Sequence, residues 1–568
     1  MSRDEEATLA DERTSELVIH GLEDVHEPID PRISPSDRPA SEVLDESYTH
    51  QFSDYMHHRD HHHAHDHHDE SDLEAQRSSI EKHLAKVESH PESQTKPEEE
   101  PLYIEFDKGD KRDPVNFCDK RKWMITLSAC WFSVLVASSS AAYALGFPSM
   151  MRDLNCTEFQ ATIGLSLYAL GFGIVPLVSA SFSEEFGRQP LYLWSGVGFV
   201  LMQIMTALAK NVQTVMIGRF LAGAFGSTGS TMVGGTVADI WMPHQRGFAM
   251  SMFTTAAIGA IGLGPVASGW IEQNRHLEWR WIQWIHVIFS GVFVLLNLTL
   301  MKETRASVLL VRLAKKMRKE TGDHRYRARV EDERASLTTL IYISCTRPIY
   351  LLITEPVVLS FTLWIGFVWG ILYTMIESIG PVFQKLHGFN SGETGTVFSC
   401  LILSCVLGVI GNVWQERLYL KYVEMRGPEA RLFAPCVAAI VFPAGLFIYA
   451  WSTYSHVYWI SLCVGIVLIM WALWVVYLAV FTYIADCYGP FASSALAGQS
   501  LFRNLMGMAF PLFTQQMFAR LTYHWANTLF ALIAVVLIPI PYVLFFKGPA
   551  IRARSKFAKQ VMQELSKP

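Results

Sequence analysis

Four ionisable residues stand inside or beside long apolar stretches of the chain: Arg219, Glu355, Glu377 and Arg503. Charged groups in such surroundings are costly and usually face a partner or a cavity. A carboxyl group there can take up and release a proton, and a buried arginine can bias the protonation of a neighbouring acid. Arg219 can equally tether backbone carbonyls of adjacent helices, and Glu377 can equally be a solvated helix end. Both interpretations stay open at this level.

A second candidate group is the segment 183–190, in which Glu184, Gly187 and Arg188 follow one another closely. Gly187 permits a tight turn. Arg188 can pair with a carboxylate such as Glu184 or Asp239, which would pin the ends of neighbouring helices together. The alternative is that Arg188 is a plain cation beside an apolar stretch.

A third group interrupts the apolar stretch 247–271 with Gly264, Pro265 and Gly269. Proline removes a backbone hydrogen bond and kinks a helix, and glycines allow close helix packing. The segment can therefore act as a hinge or a seal, or it can be a simple kink.

Two further features lie near the N-terminus and in a short loop. A histidine-rich tract can hold a divalent metal loosely, or it is a solvated low-complexity tail with incidental metal affinity. Its histidines are His57, His58, His61, His62, His63, His65, His67 and His68. Asn155-Cys156-Thr157 matches the glycosylation sequon, although its closeness to an apolar span argues against its use.

The elements that must position these residues are membrane-spanning helices. Half of the 568 residues are hydrophobic and 18% are charged. Apolar runs of about 18–26 residues are long enough to cross a bilayer, and backbone groups in lipid must pair within a helix. The runs predict an all-α membrane protein with twelve spans in two six-helix bundles, the layout of transporters built from parallel repeats. The predicted spans are 123–147, 160–182, 190–209, 214–236, 247–271, 279–301, 351–375, 394–413, 433–452, 458–483, 494–518 and 525–546.

The segments between and around these spans complete the predicted organisation. Residues 1–122 are acidic and poor in aromatics, which predicts a disordered N-terminus. The first bundle covers 123–301, a charged connector covers 302–350, the second bundle covers 351–546 and a basic tail covers 547–568. Lys and Arg are concentrated before the first span, in the connector and in the tail, so both termini are expected to be cytoplasmic. No apolar segment follows Met1, so an internal span is expected to direct insertion.

Several classes of function are disfavoured. The net charge of −6 reflects the acidic N-terminus and gives no reason to expect nucleic acid. The chain contains no HExxH, no GxSxG and no GxxxxGK[ST], which argues against an enzyme and against an ATP-driven pump. We expect no cofactor, and we expect a monomer whose partners are the lipid bilayer, a small-molecule substrate and protons.

Three motifs carry a resemblance to a known family. Glu184-x-x-Gly187-Arg188 resembles the loop 2–3 motif of the major facilitator superfamily, with Ala180 in place of the leading glycine. Arg219-Phe-Leu-Ala-Gly223 is similar to the family's span-four motif, and Gly264-Pro265-x-x-x-Gly269 resembles its span-five antiporter motif. Together they resemble the twelve-span drug:proton antiporter branch found in fungi. Three stretches, 279–284, 315–323 and 510–513, look like its polyamine and multidrug exporter subgroup.

The resemblance covers residues 115–550 and implies a two-bundle fold, export coupled to an inward proton gradient, and a plasma-membrane location. It implies an amphiphilic or cationic solute: a drug, a polyamine or a secreted metabolite. Two alternatives stay open, namely a proton-coupled uptake symporter of the same fold and a receptor that binds solute without transporting it.

Overall fold

The computed structural model describes residues 101–555 except Lys108, Pro243, His244 and 333–336, together with Phe557 and Lys559. The side chains of Ala180, Ser181, Glu184, Leu337 and Pro490 are also outside the description. The histidine-rich tract therefore lies outside the described residues.

Long helices joined by short turns form the first half of the molecule. The helices are α1 Asp119–Leu145, α2 Phe147–Leu154, α3 Glu158–Phe186, α4 Arg188–Ala207, α5 Val212–Ile240, α6 Arg246–Gln273 and α7 Glu278–Leu300. Side-chain caps begin two of them: Thr157 accepts a hydrogen bond from the amide of Gln160 to start α3, and Asn211 accepts one from the amide of Thr214 to start α5.

The connector and the second half continue the helical pattern, and strand β1, Leu102–Tyr103, precedes α1. The elements are α8 Ala306–Thr321, β2 Tyr326–Arg327, α9 Arg329–Asp332, α10 Leu337–Thr354, α11 Pro356–His387, α12 Ser391–Val397, α13 Ser399–Arg426, α14 Phe433–Trp451, α15 Ile460–Tyr488, α16 Ala492–Leu537 and α17 Pro539–Arg554. Thr522 has φ 65° and ψ 165°, which breaks α16 into the end of one span and the start of the next.

The number of spans agrees with the prediction. Nine helical stretches of the described chain are long and apolar enough to cross a membrane. Two of them, 391–451 and 492–554, each contain two spans. Helix α5 adds one more, and its many Gly, Ser and Thr residues explain its lower hydropathy. The prediction of a twelve-span, two-bundle, all-α membrane protein is confirmed.

The seventh span differs from its predicted position of 351–375. Helix α11 begins at Pro356, because a residue before proline avoids helical backbone angles and Glu355 accordingly has ψ 110°. The helix then runs through Pro381 to His387. Glu377 consequently lies within the helix, ten residues before its last residue, and not at a solvated end.

Residues shortly before α1 are ordered where the sequence predicted disorder. Strand β1, Leu102–Tyr103, pairs in parallel with β2 of the connector. The prediction of disorder rested on the average composition of residues 1–122, which is acidic, and a short apolar segment changes that average little. In the connector, Arg318 donates two hydrogen bonds to Glu331, at 3.0 and 2.8 Å, and one to the Tyr326 carbonyl. The N-terminal segment, α8 and α9 thus form one small unit.

This unit should loosen in acid. Burial raises the pKa of Glu331, but hydrogen bonds from Arg318 and from the Ala328 amide outweigh it, so the pKa lies below its usual value. The pair therefore stabilises the unit above the unfolded-state pKa of about 4.3 and is lost as pH falls through the folded-state value. We expect amide exchange over 322–332, corrected for intrinsic rates, to accelerate below about pH 4.3. Glu331→Gln should show the faster exchange already at neutral pH, and Glu320→Gln, on an exposed pair with Lys316, should not. Equal protection in Glu331→Gln and wild type would contradict the prediction.

Candidate functional site

A cavity of about 580 Å³ lies between the two bundles. One end is deep in the molecule, at Ser140, Tyr373 and Ile376. The other end reaches the side of the molecule that carries Arg188 and the connector, which we call the connector face. Most of the lining is apolar or aromatic, with contributions from both halves. A cavity of this size and lining suits a small amphiphilic molecule.

The bundles meet on the opposite side, which we call the far face. The Thr162 hydroxyl of α3 donates a 2.6 Å hydrogen bond to Oε1 of Glu377 in α11. The Gln515 amide of α16 donates to the same Thr162 oxygen at 3.1 Å. Oε2 of Glu377 is buried and has no hydrogen-bond partner among the described residues. A carboxyl group is thus held beyond the deep end of the cavity with one oxygen unsatisfied.

The glycine-proline element of α6 lies at this closed end. A Cβ atom added to Gly269 would come 2.8 Å from Cα of Gly395 in α12, and one added to Gly395 would come 2.6 Å from the Pro265 carbonyl oxygen. One added to Gly264 would come 2.8 Å from Oγ of Ser138 in α1. Because only glycine lets helices approach so closely, Gly269 packs the first bundle directly against Gly395 of the second, whereas Gly264 packs α6 against α1 within the first bundle.

Ion pairs hold the first bundle together at the connector face. Gly187 has φ 92°, which favours glycine in the turn between α3 and α4. The Arg188 side chain donates to Asp239 at the end of α5, and its backbone amide donates to Glu303 at 2.9 Å. Arg305 adds a 3.5 Å contact to Asp239. Of the two carboxylates proposed for Arg188, Asp239 is paired with it, and the side chain of Glu184 lies outside the description.

The second bundle repeats this arrangement. Arg431, in the turn before α14, donates to Asp486 at 2.6 Å and to Glu416 at 3.2 Å. Asp486 lies near the end of α15 as Asp239 lies near the end of α5. The tertiary structure therefore shows a relation between the halves that the sequence revealed only through hydropathy.

Arg219 is fully buried in the first bundle. It donates to the backbone oxygens of Ser139 and Ser140, at 3.0 and 3.4 Å. The rings of Tyr143 and Tyr168 lie 4.3 and 4.2 Å from its Cζ. No ion pair joins it to any described carboxylate. These contacts match the tether interpretation, while a part in proton coupling stays a prediction.

Arg503 of α16 lines the cavity and is 3% exposed. Its Nη2 donates to Ser500 at 3.1 Å, and its Cζ lies 4.5 Å from the Trp369 ring and 5.0 Å from the Tyr477 ring. Its Nε and Nη1 are buried without a partner in the described part of the chain. These two N–H groups can therefore donate hydrogen bonds to a molecule bound in the cavity.

Glu355 and Asn155 are not among the described residues that line the cavity. Glu355 is buried between α10 and α11 and accepts a 3.0 Å hydrogen bond from Tyr488. Glu184 lies in the last turn of α3, and its side chain is outside the description. Asn155 is exposed with φ 49°, and its sequon threonine, Thr157, caps α3. The described residues hold no cluster of His, Cys, Asp and Glu that could bind a metal.

Sequence reasoning missed Thr162, Gln515 and Gly395 at the far face and Glu303 at the connector face. Single polar or small residues in a span give no signal of their own, because their role depends on which helix they meet. The spacing of Arg431 and Asp486 could have been compared with that of Arg188 and Asp239, since both pairs join a turn to the end of a later span.

Comparison with known proteins identifies the family. The model of the Major Facilitator Superfamily matches residues 128–490. The chain is 32% identical to the major facilitator superfamily multidrug transporter mdrA of Aspergillus fumigatus, over 81% of this chain and 76% of the relative. It is 34% identical to the efflux pump radE of Floropilus chiversii, over 81% and 86% of the two chains.

A solved structure shares the fold. The xylose transporter XylE of E. coli superposes with a TM-score of 0.55 at 16% identity, over 75% of this chain and 98% of that chain. The protein is therefore an integral membrane transporter and not an enzyme. The chain belongs to the major facilitator superfamily.

Proposed function

We propose that this protein exports a small amphiphilic solute, a drug or a secreted metabolite, from the cytoplasm across the plasma membrane in exchange for protons. The observation that carries the proposal is the cavity between the bundles, which reaches the connector face and ends at bundle-to-bundle contacts on the far face. The distribution of Lys and Arg supports a cytoplasmic connector face with both termini inside. A cavity that is open at the connector face and closed at the far face is expected of an inward-facing state that can bind solute from the cytoplasm.

The names of the relatives support the direction of transport. Those relatives are called multidrug transporter and efflux pump, and the glycine-proline element that resembles an antiporter motif supports export over uptake. Alternating access then requires the far-face contacts to open while the connector face closes. The paired ion clusters around Asp239 and Asp486 are candidates for the parts that rearrange at the inner side.

Glu377 is the candidate proton carrier. An ionised carboxylate there would be a buried charge with one oxygen unsatisfied. Protonation removes the charge, which lowers the cost of burying the group while the far face is closed. One proton that crosses about 100 mV releases about 2.3 kcal/mol, enough for a roughly 50-fold concentration ratio of a neutral solute at one proton per cycle.

Transport in inside-out vesicles tests the proposal. Vesicles that contain the full chain and an acidic lumen should accumulate a fluorescent amphiphile such as rhodamine 6G or carboxyfluorescein, and a protonophore should abolish the accumulation. Vesicles without the protein are the control. Accumulation that ignores the protonophore would indicate a facilitator, and solute movement in the same direction as protons would indicate an uptake symporter. Binding of dye without any movement would indicate a receptor.

A further inference from the structure

Three buried N–H groups on residues that line the cavity have no hydrogen-bond acceptor among the described residues. Nε and Nη1 of Arg503 have no partner among the described residues, and neither has the indole N–H of the adjacent Trp369. A buried donor left without an acceptor is costly, and a charged donor is more so. A bound molecule that brings an oxygen acceptor, above all an anionic one, would remove that cost.

The charged residues that line the cavity also favour an anionic solute. Among its described lining residues are four arginines and two acids, with no lysine. Both acids, Glu416 and Asp486, already contact Arg431 at the connector face. No described acid that lines the cavity therefore lacks an arginine partner and could pair with a cationic solute. Arg503 would repel a cationic solute. Of the solutes that the sequence resemblance implied, this disfavours the cationic ones and the polyamine and leaves the amphiphilic secreted metabolite.

The apolar part of the pocket is built from rings. Trp369 and Tyr477 stack with their centroids 5.6 Å apart, and Tyr477 contacts Phe481 at 4.8 Å. These three residues and Arg503 all line the same cavity. A flat ring system can lie against such a wall while a polar substituent reaches the guanidinium.

We propose that the cavity binds organic anions, namely ring-containing amphiphiles whose carboxylate or phenolate accepts hydrogen bonds from Arg503. The inference rests on the proposed function only in that a solute occupies this cavity. If one proton enters as one monoanion leaves, two charges cross the membrane in the same electrical sense, so the membrane potential drives both movements.

Equilibrium binding of two dyes with the same ring system tests the proposal. Carboxyfluorescein is an anion and rhodamine 6G is a cation, and both contain a xanthene ring. We expect the full-length protein in lipid nanodiscs to bind carboxyfluorescein at least about tenfold more tightly than rhodamine 6G, the gain of one charge-assisted hydrogen bond. Arg503→Gln should remove that preference, and Arg503→Lys should keep most of it.

Arg520→Gln is the matched control, because Arg520 lies on the same helix but is exposed. It should bind both dyes as the wild type does. A preference of the wild type for the cation, binding of neither dye, or an equal loss of both dyes in Arg503→Gln would overturn the proposal. Because binding is measured without a proton gradient or turnover, a failure of proton-coupled export would leave the anion preference intact, and the reverse also holds.

Discussion

Replacement of Glu377 by glutamine should reduce proton-driven accumulation of solute by about a hundredfold, the usual scale for loss of a proton-transferring group, while exchange of solute without a gradient continues. The glutamine carbonyl can still accept the hydrogen bond from Thr162, so the contact between α3 and α11 is kept. What the variant loses is the ability to bind and release a proton at this place. Net export needs that cycle, whereas exchange needs only the movement of the bundles.

The measurement is a comparison of two assays in the same vesicles: accumulation under an imposed proton gradient, and counterflow of labelled against unlabelled solute with no gradient. Glu393→Gln is the control, because Glu393 is exposed and its bond to the Asn390 amide survives the change. Wild-type accumulation in Glu377→Gln would mean that protons are carried elsewhere. Loss of counterflow as well would mean that Glu377 acts by holding the bundles together.

Replacement of Gly395 by leucine should disfavour closure at the far face and slow transport in both directions. A Cβ atom at this position would lie 2.6 Å from the Pro265 carbonyl oxygen and 2.9 Å from Cα of Gly269, so the leucine must push α12 away from α6. Overpacking of this kind costs about 1–3 kcal/mol. If the closed state alone bears that cost, the population shifts toward the outward-open state by roughly 5- to 150-fold.

The shift can be followed by energy transfer between fluorophores attached through bio-orthogonal side chains at Arg275 and Ser455, which are exposed on far-face loops of the two bundles. The mean distance should increase in Gly395→Leu and should not change in Gly291→Leu, because a Cβ atom at Gly291 meets nothing within 4 Å. An unchanged distance together with wild-type transport in Gly395→Leu would show that the bundles do not need this close contact.

The candidate site was predictable in part. Glycine and proline act through their own backbone properties. Gly264, Pro265 and Gly269 were therefore recognised as a packing element, and Gly187 as a turn, without knowledge of their neighbours. Arg503 was recognised as a buried charge that needs a partner. Which partner it has was not predictable, because the answer depends on Trp369 and Tyr477, from two other helices, and on the acids that meet Arg431 instead.

The sequence by itself determined that the chain crosses a membrane twelve times, in two sets of six, because a span requires only that about twenty neighbouring residues be apolar. The hydropathy of neighbouring residues can be summed along the chain without knowledge of the tertiary structure. Only the tertiary structure decided that Glu377 meets Thr162, that Arg188 meets Asp239, and that Arg503 meets no carboxylate among the described residues. These outcomes depend on how each helix is rotated and which helices become neighbours, and the packing of side chains from distant segments sets both.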